Sequence, residues 1–247
     1  MIITLTTDFG PGEYVGAMKG VIYSNCPDVR IVDISHDIEK FNIYQAAAYV
    51  FSSCSHFPVG TVHVVVVDPG VGTKRRGVII KTSAHYYVGP DNGVFSLVED
   101  ILKVFEIKAA PKSRTFHGRD VFAPIAAKLA CGESPSEFGD EIAGITRVIG
   151  KSGIKDGAIV GEVIYVDAFG NIITNITEVG GLKYGSAVTV EIHGTEKNAR
   201  FVESYGFANE GELVCLIGSS GFLEVAVSQG DAGKLLDVKS GEKVVIK

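Results

Sequence analysis

The chain has 247 residues, of which 46% are hydrophobic and 21% are charged, a composition typical of a globular protein with a full core. The 23 basic and 29 acidic residues give a formal net charge of −6 without any basic block, so we expect no nucleic-acid partner. No apolar run is long enough to cross a bilayer, and the first residues do not resemble a signal peptide. We therefore expect no membrane partner and a cytoplasmic location.

The cysteines and most histidines show no pattern typical of a structural site. No CxxC pair is present, which favours reduced, mostly buried thiols. Five histidines share no ligand spacing, so we predict no metal site. The cysteines are Cys26, Cys54, Cys131 and Cys215, and these histidines are His36, His56, His63, His85 and His193.

In chain order, the first part of the sequence alternates between strand-like and helix-like segments. Hydrophobic runs predict strands at residues 2–6, 29–34, 62–67, 77–82, 86–88 and 103–108. Helical spacing of apolar residues predicts helices at 14–22, 43–54, 95–102 and 115–129. Such alternation predicts a sandwich-like α/β domain with a largely parallel sheet.

The character of the sequence changes after about Gly150. Residues 151–156 are polar and contain glycine, which predicts a linker between domains at 1–150 and 157–247. Short strands are predicted beyond it at 158–166, 171–176, 187–193, 212–217, 222–227 and 243–246, with one short helix at 232–236. Short, closely spaced strands with glycine turns predict a smaller all-β, barrel-like domain.

The stretch from Thr61 to Gly77 is the one most typical of a functional site. Five of the six residues at 62–67 are valine, which predicts a strand buried on both faces of a parallel sheet. The strand ends at Asp68, and open α/β sheets bind ligands at the carboxyl ends of their strands. Arg75 follows a glycine-rich turn and can fold back onto Asp68, as part of a catalytic site or as a structural ion pair.

Other polar positions allow both a structural and a functional interpretation. Asp8 follows the first strand, where a carboxylate caps the next helix or accepts hydrogen bonds from a ribose diol. His117 lies in a predicted loop with polar neighbours. The turns at 167–171 and 217–224 are typical of ordinary Asx and hairpin turns, although a glycine-rich turn with hydroxyls can also bind a polar ligand. The dinucleotide fingerprint GxGxxG is absent after the first strand.

Taken together, six motifs cover nearly the whole chain. They are TDFG at 7–10, YVGAMKGVIY at 14–23, DPGVGTKRRG at 68–77, PDNG at 90–93, TFHGRDVFAP at 115–124 and DAFGNIITNI at 167–176. In order and spacing they resemble the S-adenosyl-L-methionine (SAM) hydroxide adenosyltransferases, or SAM hydrolases, relatives of the fluorinating and chlorinating enzymes. The resemblance implies an α/β domain, a β-barrel-like domain and a homotrimer. It also implies that SAM binds between the first domain of one subunit and the second domain of its neighbour.

The resemblance also implies residue roles. The catalytic set falls on Asp68, Arg75 and His117. The substrate-binding set falls on Asp8 for the ribose, Phe41 beside the nucleoside, Asp167 for the methionine ammonium, Phe169 and Asn171 for the adenosine end, Ser219 for the methionine carboxylate, and Glu224 as a further ligand. The segment after Gly10 is one residue shorter than usual, with Glu13 where an aspartate is common. Ser220 stands where halogenating relatives have arginine.

The implied reaction is hydrolysis of SAM to adenosine and L-methionine, without a cofactor, by water attacking carbon 5′. One alternative is a SAM-dependent halogenase, which we disfavour because a carboxylate such as Asp68 repels a halide. The other is a non-catalytic SAM- or adenosine-binding module, which would not need a water-activating set of residues.

Overall fold

The computed structural model describes residues 1–247. Two compact units divide the chain, Met1–Val148 and Ile149–Lys247. None of the helices has both the length and the apolar character needed to cross a membrane.

The first unit contains seven strands and three α-helices. The strands are β1 (Ile2–Thr7), β2 (Arg30–Ser35), β3 (Val62–Val66), β4 (Gly77–Thr82), β5 (Tyr86–Pro90), β6 (Ile101–Ile107) and β7 (Gly139–Ile142). The helices are α1 (Glu13–Asn25), α2 (Ile43–Cys54) and α3 (Ala123–Ala130), the last preceded by a π-helical turn at Gly118–Phe122.

These strands form one sheet in the order β2-β1-β3-β5-β4-β6-β7. The first four strands of that order are parallel, and the remaining neighbours are antiparallel. β1 and β3 are adjacent, with Thr7 paired to Val66. Because parallel neighbours end at the same edge, the residues that follow β1 and β3 lie side by side.

Helices cover both faces of this sheet, as the α/β prediction required. Val62, Val64 and Val66 of β3 pack in one core cluster with α1 and α3, whereas Val65 and Val67 pack in another with α2. Alternate residues of a strand face opposite sides, so a strand covered on both sides is apolar throughout. The valine run at 62–67 is therefore explained by burial, and its prediction as a buried strand is confirmed.

The second unit is an all-β domain with one short helix. Its strands are β8 (Gly153–Lys155), β9 (Ala158–Val166), β10 (Ile172–Thr174), β11 (Ala187–Ile192), β12 (Thr195–Phe201), β13 (Leu213–Ile217), β14 (Leu223–Val227) and β15 (Lys243–Ile246), and the helix is α4 (Ala232–Leu236).

Seven of these strands close into a barrel. Their order is β9-β10-β14-β13-β12-β11-β15, and β15 pairs with β9 to complete the ring. Closure leaves no unpaired edge inside the ring. Apolar side chains from every strand of the ring fill its interior, for example Val163, Val190 and Val225. The predicted barrel-like second domain is confirmed.

Residues 151–156, predicted as a linker, include strand β8, which pairs with β9 outside the closed ring. The connecting residues Asp156 and Gly157 have positive φ values of 51° and 81°. Such values are typical of a two-residue hairpin turn, for which Asp-Gly is a preferred sequence. Along the chain, the boundary between the two compact units lies a few residues earlier, between Val148 and Ile149.

The helix predicted at 95–102 does not form. The side chain of Arg147 donates hydrogen bonds to the main-chain carbonyls of Ser96 and Val98, the second at 3.0 Å. Carbonyls engaged in this way do not serve a helical ladder. Asp100, with φ of 51°, then directs the chain into β6.

The expectation of four reduced cysteines is wrong for one pair. Cys26 and Cys131 form a disulfide with a Cα–Cα distance of 6.1 Å. They directly follow α1 and α3, which pack against each other on one face of the sheet. This packing brings residues 105 positions apart to bonding distance. Cys54 and Cys215 are free and buried.

Candidate active site

An ion pair between Asp68 and Arg75 lies at the carboxyl end of β3. Arg75 donates from Nε to Asp68 Oδ1 at 3.1 Å and from Nη2 to Oδ2, which is the two-pronged geometry of strong guanidinium–carboxylate pairs. The Asp68 and Arg75 side chains are only 5% and 9% exposed, so water screens their attraction little. The prediction that Arg75 folds back onto Asp68 is confirmed.

The loop between these two residues makes the return possible. The N–H of Val71 donates to the carbonyl of Asp68 at 3.3 Å, which closes a tight turn. Gly72 has a φ of 78°, and a Cβ atom there would lie 2.6 Å from the carbonyl oxygen of Arg114. Glycine is required at this position both by its backbone conformation and by this close approach.

His117 completes the cluster from the turn that begins the π-helix. Its Nδ1 lies 3.1 Å from Nη2 of Arg75. Arginine has no acceptor atom, so Nδ1 accepts this hydrogen bond and the neutral ring carries its proton on Nε2. Burial lowers the pKa of His117, and the positive charge of Arg75 lowers it further, while Asp68 and Asp120 act in the opposite direction.

Asp8 follows β1 and therefore lies beside Asp68, which follows β3. One oxygen of Asp8 accepts a hydrogen bond from the N–H of Phe41 at 2.9 Å. Burial raises the pKa of Asp8 and the negative charge of Asp68 adds to the rise, whereas the Phe41 N–H opposes it. Phe41 itself has a φ of 66° and is 63% exposed. The sequence left open whether Asp8 caps α1. Its carboxylate instead accepts from the N–H of Phe41, which lies outside this helix.

A cavity of about 440 Å³ joins these groups in the first unit. The rings of Phe9, Tyr14 and Phe116 form an aromatic cluster on its wall, with centroids 5.3–5.9 Å apart. Arg75 does not line the cavity but donates hydrogen bonds to Asp68 and His117, which do. The lining residues are Asp8, Phe9, Tyr14, Lys40, Phe41, Val66, Asp68, Val71, Thr115, Phe116, His117 and Gly118. The cavity therefore combines an apolar wall with two carboxylates, a histidine and a lysine.

In the second unit, Asp167 organises the turn between β9 and β10. Its Oδ1 accepts from the N–H groups of Phe169 at 2.8 Å and Asn171 at 2.9 Å, and its Oδ2 accepts from the Asn171 side chain at 3.0 Å. These contacts make the Asx turn that the sequence allowed. The turn leaves the ring of Phe169 81% exposed, which is a high exposure for a large apolar side chain.

Tyr205 and Glu224 form a second polar pair beside this turn. The Tyr205 hydroxyl donates to Glu224 and accepts from the side chain of Asn171 at 3.3 Å. Burial raises the pKa of Glu224; the Tyr205 hydrogen bond opposes this effect, and the charge of Asp167 adds to it. Sequence analysis missed Tyr205, because it lies in a single 3₁₀ turn, Tyr205–Phe207, with no motif around it.

A second cavity, of about 890 Å³, contains every site residue predicted for this unit. Its lining residues are Asp167, Phe169, Asn171, Tyr205, Gly206, Ala208, Ser219, Glu224, Val227, Ser228, Gln229 and Gly230. The ten predicted site residues thus form two groups. Asp8, Phe41, Asp68, Arg75 and His117 lie together in the first unit, and Asp167, Phe169, Asn171, Ser219 and Glu224 lie together in the second.

Comparison with protein families places the chain in a known class. The N-terminal domain of the SAM hydroxide adenosyltransferases matches residues 3–139, and the C-terminal domain matches residues 161–245. These matches cover more than half of the chain, and the chain belongs to the SAM hydroxide adenosyltransferase family.

Individual relatives agree with this assignment over nearly their full length. An (R)-S-adenosyl-L-methionine hydrolase from Methanocaldococcus jannaschii is 40% identical, with 99% of this chain and 95% of the relative covered. A protein of the same name from Thermus thermophilus is 37% identical, with 96% of each covered. A fluorinase from Nocardia brasiliensis is more distant, at 28% identity over 100% of this chain and 96% of the relative.

A solved structure shares the fold. The crystal structure of an uncharacterized conserved protein from Thermotoga maritima is 37% identical and superposes with a TM-score of 0.88, covering 100% of this chain and 99% of that one.

Proposed function

We propose that this protein hydrolyses S-adenosyl-L-methionine to adenosine and L-methionine by attack of water on carbon 5′. The observation that carries the proposal is the cluster of Asp68, Arg75 and His117 beside a cavity that also presents Asp8. Family membership and the names of the relatives support the same reaction.

The leaving group explains why few catalytic groups are needed. Carbon 5′ of SAM bears a positively charged sulfonium, and breaking this bond releases a neutral thioether, so no acid has to protonate the leaving group. The difficult partner is water, whose pKa in bulk is about 15.7. We propose that no cofactor or metal takes part, and that the protein activates and positions this water by itself.

Asp68 is the group we assign to orienting the water and accepting its proton, a role that contributes typically 10²–10⁴-fold. Arg75 uses four of its five N–H groups on Asp68, His117 and the carbonyl of Arg76. Its main role is therefore to hold the cluster in place, and its positive charge also favours hydroxide. His117 has Nδ1 occupied by Arg75, so its Nε2 is the atom that contacts the water or relays the proton.

The remaining side chains are assigned to binding the substrate. We propose that Asp8 accepts hydrogen bonds from the ribose hydroxyls and that the exposed ring of Phe41 packs beside the nucleoside. In the second unit, Asp167 binds the methionine ammonium and Ser219 binds its carboxylate. The list of binding residues is completed by Phe169 and Asn171 at the adenosine end and by Glu224 as a further polar ligand.

The two groups of binding residues belong to different units, and this division motivates a proposal on assembly. We propose that the protein forms a homotrimer in which the first unit of one subunit and the second unit of its neighbour bind the same SAM molecule. The exposed rings of Phe41 and Phe169, at 63% and 81%, support this arrangement, because large exposed apolar side chains at cavities commonly become buried by a partner or ligand.

The configuration at sulfur is a finer part of the proposal. A sulfonium with three different carbon substituents is a stereocentre, and the names of the relatives specify the (R) form. We propose that this protein also consumes the (R) epimer in preference to the (S) epimer.

A halogenase reaction in the same cavity is disfavoured by charge. Asp68 lines the cavity, and a halide placed against its carboxylate is repelled at short range, although Arg75 and Lys40 are positive charges nearby. Water can donate a hydrogen bond to this carboxylate and a halide cannot, so the site favours water over fluoride or chloride.

The test is a turnover assay on a mixture of both SAM epimers, with products and epimers separated by chromatography. We expect equal amounts of adenosine and methionine, with the (R) epimer consumed first. Binding of SAM without release of methionine would indicate a binding module instead. Formation of a 5′-halogenated nucleoside in chloride or fluoride buffer would indicate a halogenase.

A further inference from the structure

The turn at Pro90–Gly93 contributes no residue to the cavity, yet the side chains of Asp91 and Asn92 contact the residues next to Arg75 and Asp68 in the sequence. Asn92 donates from Nδ2 to the carbonyl of Val67, the residue immediately before Asp68, at 2.9 Å. The Oδ1 atom of Asn92 accepts from the N–H of Val94 at 3.3 Å. Val67 is fully buried and is the first residue of the connection between β3 and β4, residues 67–76, which we call the catalytic loop. The side-chain amide of Asn92 therefore satisfies a buried carbonyl at the start of this loop.

Asp91 makes the corresponding contact with the other end of the loop. Its side chain is 2% exposed and accepts from Nε of Arg76 at 2.9 Å and from Nη2 at 2.5 Å. Its main-chain N–H donates to the carbonyl of Arg76 at 2.9 Å. That same carbonyl accepts from Nη1 of Arg75, also at 2.9 Å. Asp91 therefore fixes the main-chain carbonyl of Arg76, which accepts the hydrogen bond from Nη1 of Arg75.

We propose that Asp91 and Asn92 are positioning residues for the reaction proposed above. Asn92 fixes the main chain from which Asp68 projects, and Asp91 fixes Arg76, whose carbonyl orients Arg75. This inference rests on the proposed function for its kinetic consequences, while its geometric consequences do not depend on the substrate.

The contacts of the Asp91 and Asn92 side chains with Arg76 and Val67 are not needed to form the turn itself. The turn is already supported by the N–H of Ser96, which donates to the carbonyl of Gly93 at 2.9 Å, and by a φ of 109° at Gly93. The side chains of Asp91 and Asn92 instead reach the two ends of the catalytic loop. One oxygen of Asp91 also accepts from the N–H of Thr146 at 2.7 Å, so substitution at Asp91 has a structural effect that the test must separate.

Isosteric substitutions remove these contacts with the least change in shape. Asn92→Asp replaces the donor to Val67 with a carboxylate, which repels the carbonyl. Asp91→Asn keeps the shape and removes the charge that holds Arg76. Since a misplacement of about 1 Å in an active site can lower the rate about 100-fold, we expect kcat to fall roughly 10- to 100-fold. KM should change by less than about threefold, because the binding groups are untouched.

His117 provides a readout that needs no substrate. Its pKa is lowered first by burial and then by the charge of Arg75, against the opposing charges of Asp68 and Asp120. If Arg75 loosens, its effect on His117 weakens, and the pKa of His117 should rise in both variants. The measurement is the NMR titration of the His117 ring proton, assigned by its disappearance in His117→Gln. Because this titration is independent of turnover, it tests the positioning role even if the proposed reaction is wrong.

Asn175 offers a matched control in the second unit. It donates from Nδ2 to the carbonyl of Gly150 at 3.0 Å and accepts from the N–H of Glu162 at 2.7 Å, the same pair of contacts as Asn92 makes. Asn175→Asp should lower the melting temperature as much as Asn92→Asp does, without changing kcat or the His117 titration.

Two outcomes would overturn the proposal. One is folded Asn92→Asp and Asp91→Asn proteins with wild-type kcat and an unchanged His117 titration. The other is an equal loss of kcat in Asn175→Asp, which would make the effect one of general stability. If the first two variants do not fold, Arg76→Lys removes the paired hydrogen bonds from Nε and Nη2 to Oδ2 of Asp91, at a side chain that is 38% exposed. Arg76→Lys should lower kcat and raise the pKa of His117, as expected for Asn92→Asp and Asp91→Asn.

Discussion

Two carboxylates, Asp8 and Asp68, line the same cavity but are held in different ways. Asp68 is held by the guanidinium of Arg75 through two hydrogen bonds, whereas Asp8 has no charged partner and accepts from the main-chain N–H of Phe41. A carboxylate with most of its acceptor sites free is suited to bind a diol, while one held in a fixed orientation is suited to direct a water. This difference supports separate roles for the two residues.

These roles predict different kinetic effects. Asp68→Asn keeps the shape but removes the charge and most of the basicity, so kcat should fall by about 10²-fold or more with little loss of SAM affinity. Asp8→Ala removes an acceptor that serves ground and transition states alike. It should raise KM roughly 10- to 150-fold, the equivalent of one charge-assisted hydrogen bond of about 1.5–3 kcal/mol.

Steady-state kinetics and calorimetric titration with SAM measure both effects. Asp33→Asn is a suitable control, because Asp33 forms an ion pair with Lys19 at 2.5 Å on the edge strand β2 and does not line the cavity. An Asp68→Asn protein that lost SAM binding but kept its kcat would contradict the assignment.

Two buried histidines, His63 and His85, are expected to make the protein less stable at acidic pH. The rings of His63 and His85 lie 4.9 Å apart, and each has a buried nitrogen without a hydrogen-bond partner. Burial lowers the pKa of His63 to about 3, and the neighbouring His85 adds to this effect. In the unfolded chain a histidine has a pKa of about 6.5. The unfolded state therefore binds protons in a range where folded His63 does not, and the stabilisation present above pH 6.5 is lost as the pH falls towards 3.

We expect His63 to decrease the free energy of unfolding by up to about 1.4 kcal/mol for each pH unit below about 6.5. Urea unfolding of the wild type and of His63→Leu over this range isolates the contribution. The variant should lose less stability on acidification, and the exposed His56, changed to Gln, should behave as the wild type. Parallel acid profiles for the wild type and His63→Leu would refute this account.

Local sequence patterns identified the residues of the site, but not the contacts between residues that are distant in the sequence. Asp68 was identifiable because a valine-rich strand ends on it, and Arg75 because a glycine-rich turn brings it back. The bond between His117 and Arg75 joins residues 42 positions apart, and no local pattern specifies such a contact. Tyr205 was missed for the same reason, since its contact with Glu224 joins residues 19 positions apart on either side of β13.

At the scale of elements, burial decided which segments could be predicted. The bounds of β9, β15 and α4 agree with the prediction, because their apolar residues follow a clear pattern. β12, with the sequence TEKNARF, was missed because its first four residues are exposed and polar. It is a strand because it pairs with β11 in register over six residues, so tertiary pairing overrides its weak β-propensity.

The disulfide gives an element-scale prediction. Cys26 and Cys131 join the ends of α1 and α3 and close a loop of 105 residues. Cross-links over loops of this length stabilise by typically 2–4 kcal/mol, mainly through the unfolded state. A reducing agent should therefore lower the melting temperature of the wild type to that of Cys131→Ser, and should not affect the variant. A wild-type melting temperature that is insensitive to reductant would show that the bridge does not stabilise the protein.

For the whole molecule, the division of binding residues between two units predicts complementation. Asp68→Ala damages the first unit and Asp167→Ala damages the second. In mixed trimers with shared sites, about a quarter of the sites combine two intact halves after random exchange of equal amounts. Mixing should therefore restore measurable activity.

The matched control for complementation mixes Asp68→Ala with His117→Ala. Both changes lie in the first unit, so every subunit in the mixture carries a damaged first unit and no activity should return. Failure of the Asp68→Ala and Asp167→Ala pair to recover activity, once subunit exchange has been demonstrated, would favour a site within a single chain.

The central claim is that water, directed by Asp68, attacks carbon 5′ of SAM. Turnover in ¹⁸O-labelled water followed by mass spectrometry of the products tests it most directly. We expect the label in the 5′-hydroxyl of adenosine and none in methionine, since the carbon–sulfur bond breaks on the adenosyl side. Unlabelled adenosine, or a 5′-halogenated nucleoside as the main product in halide buffer, would contradict the account.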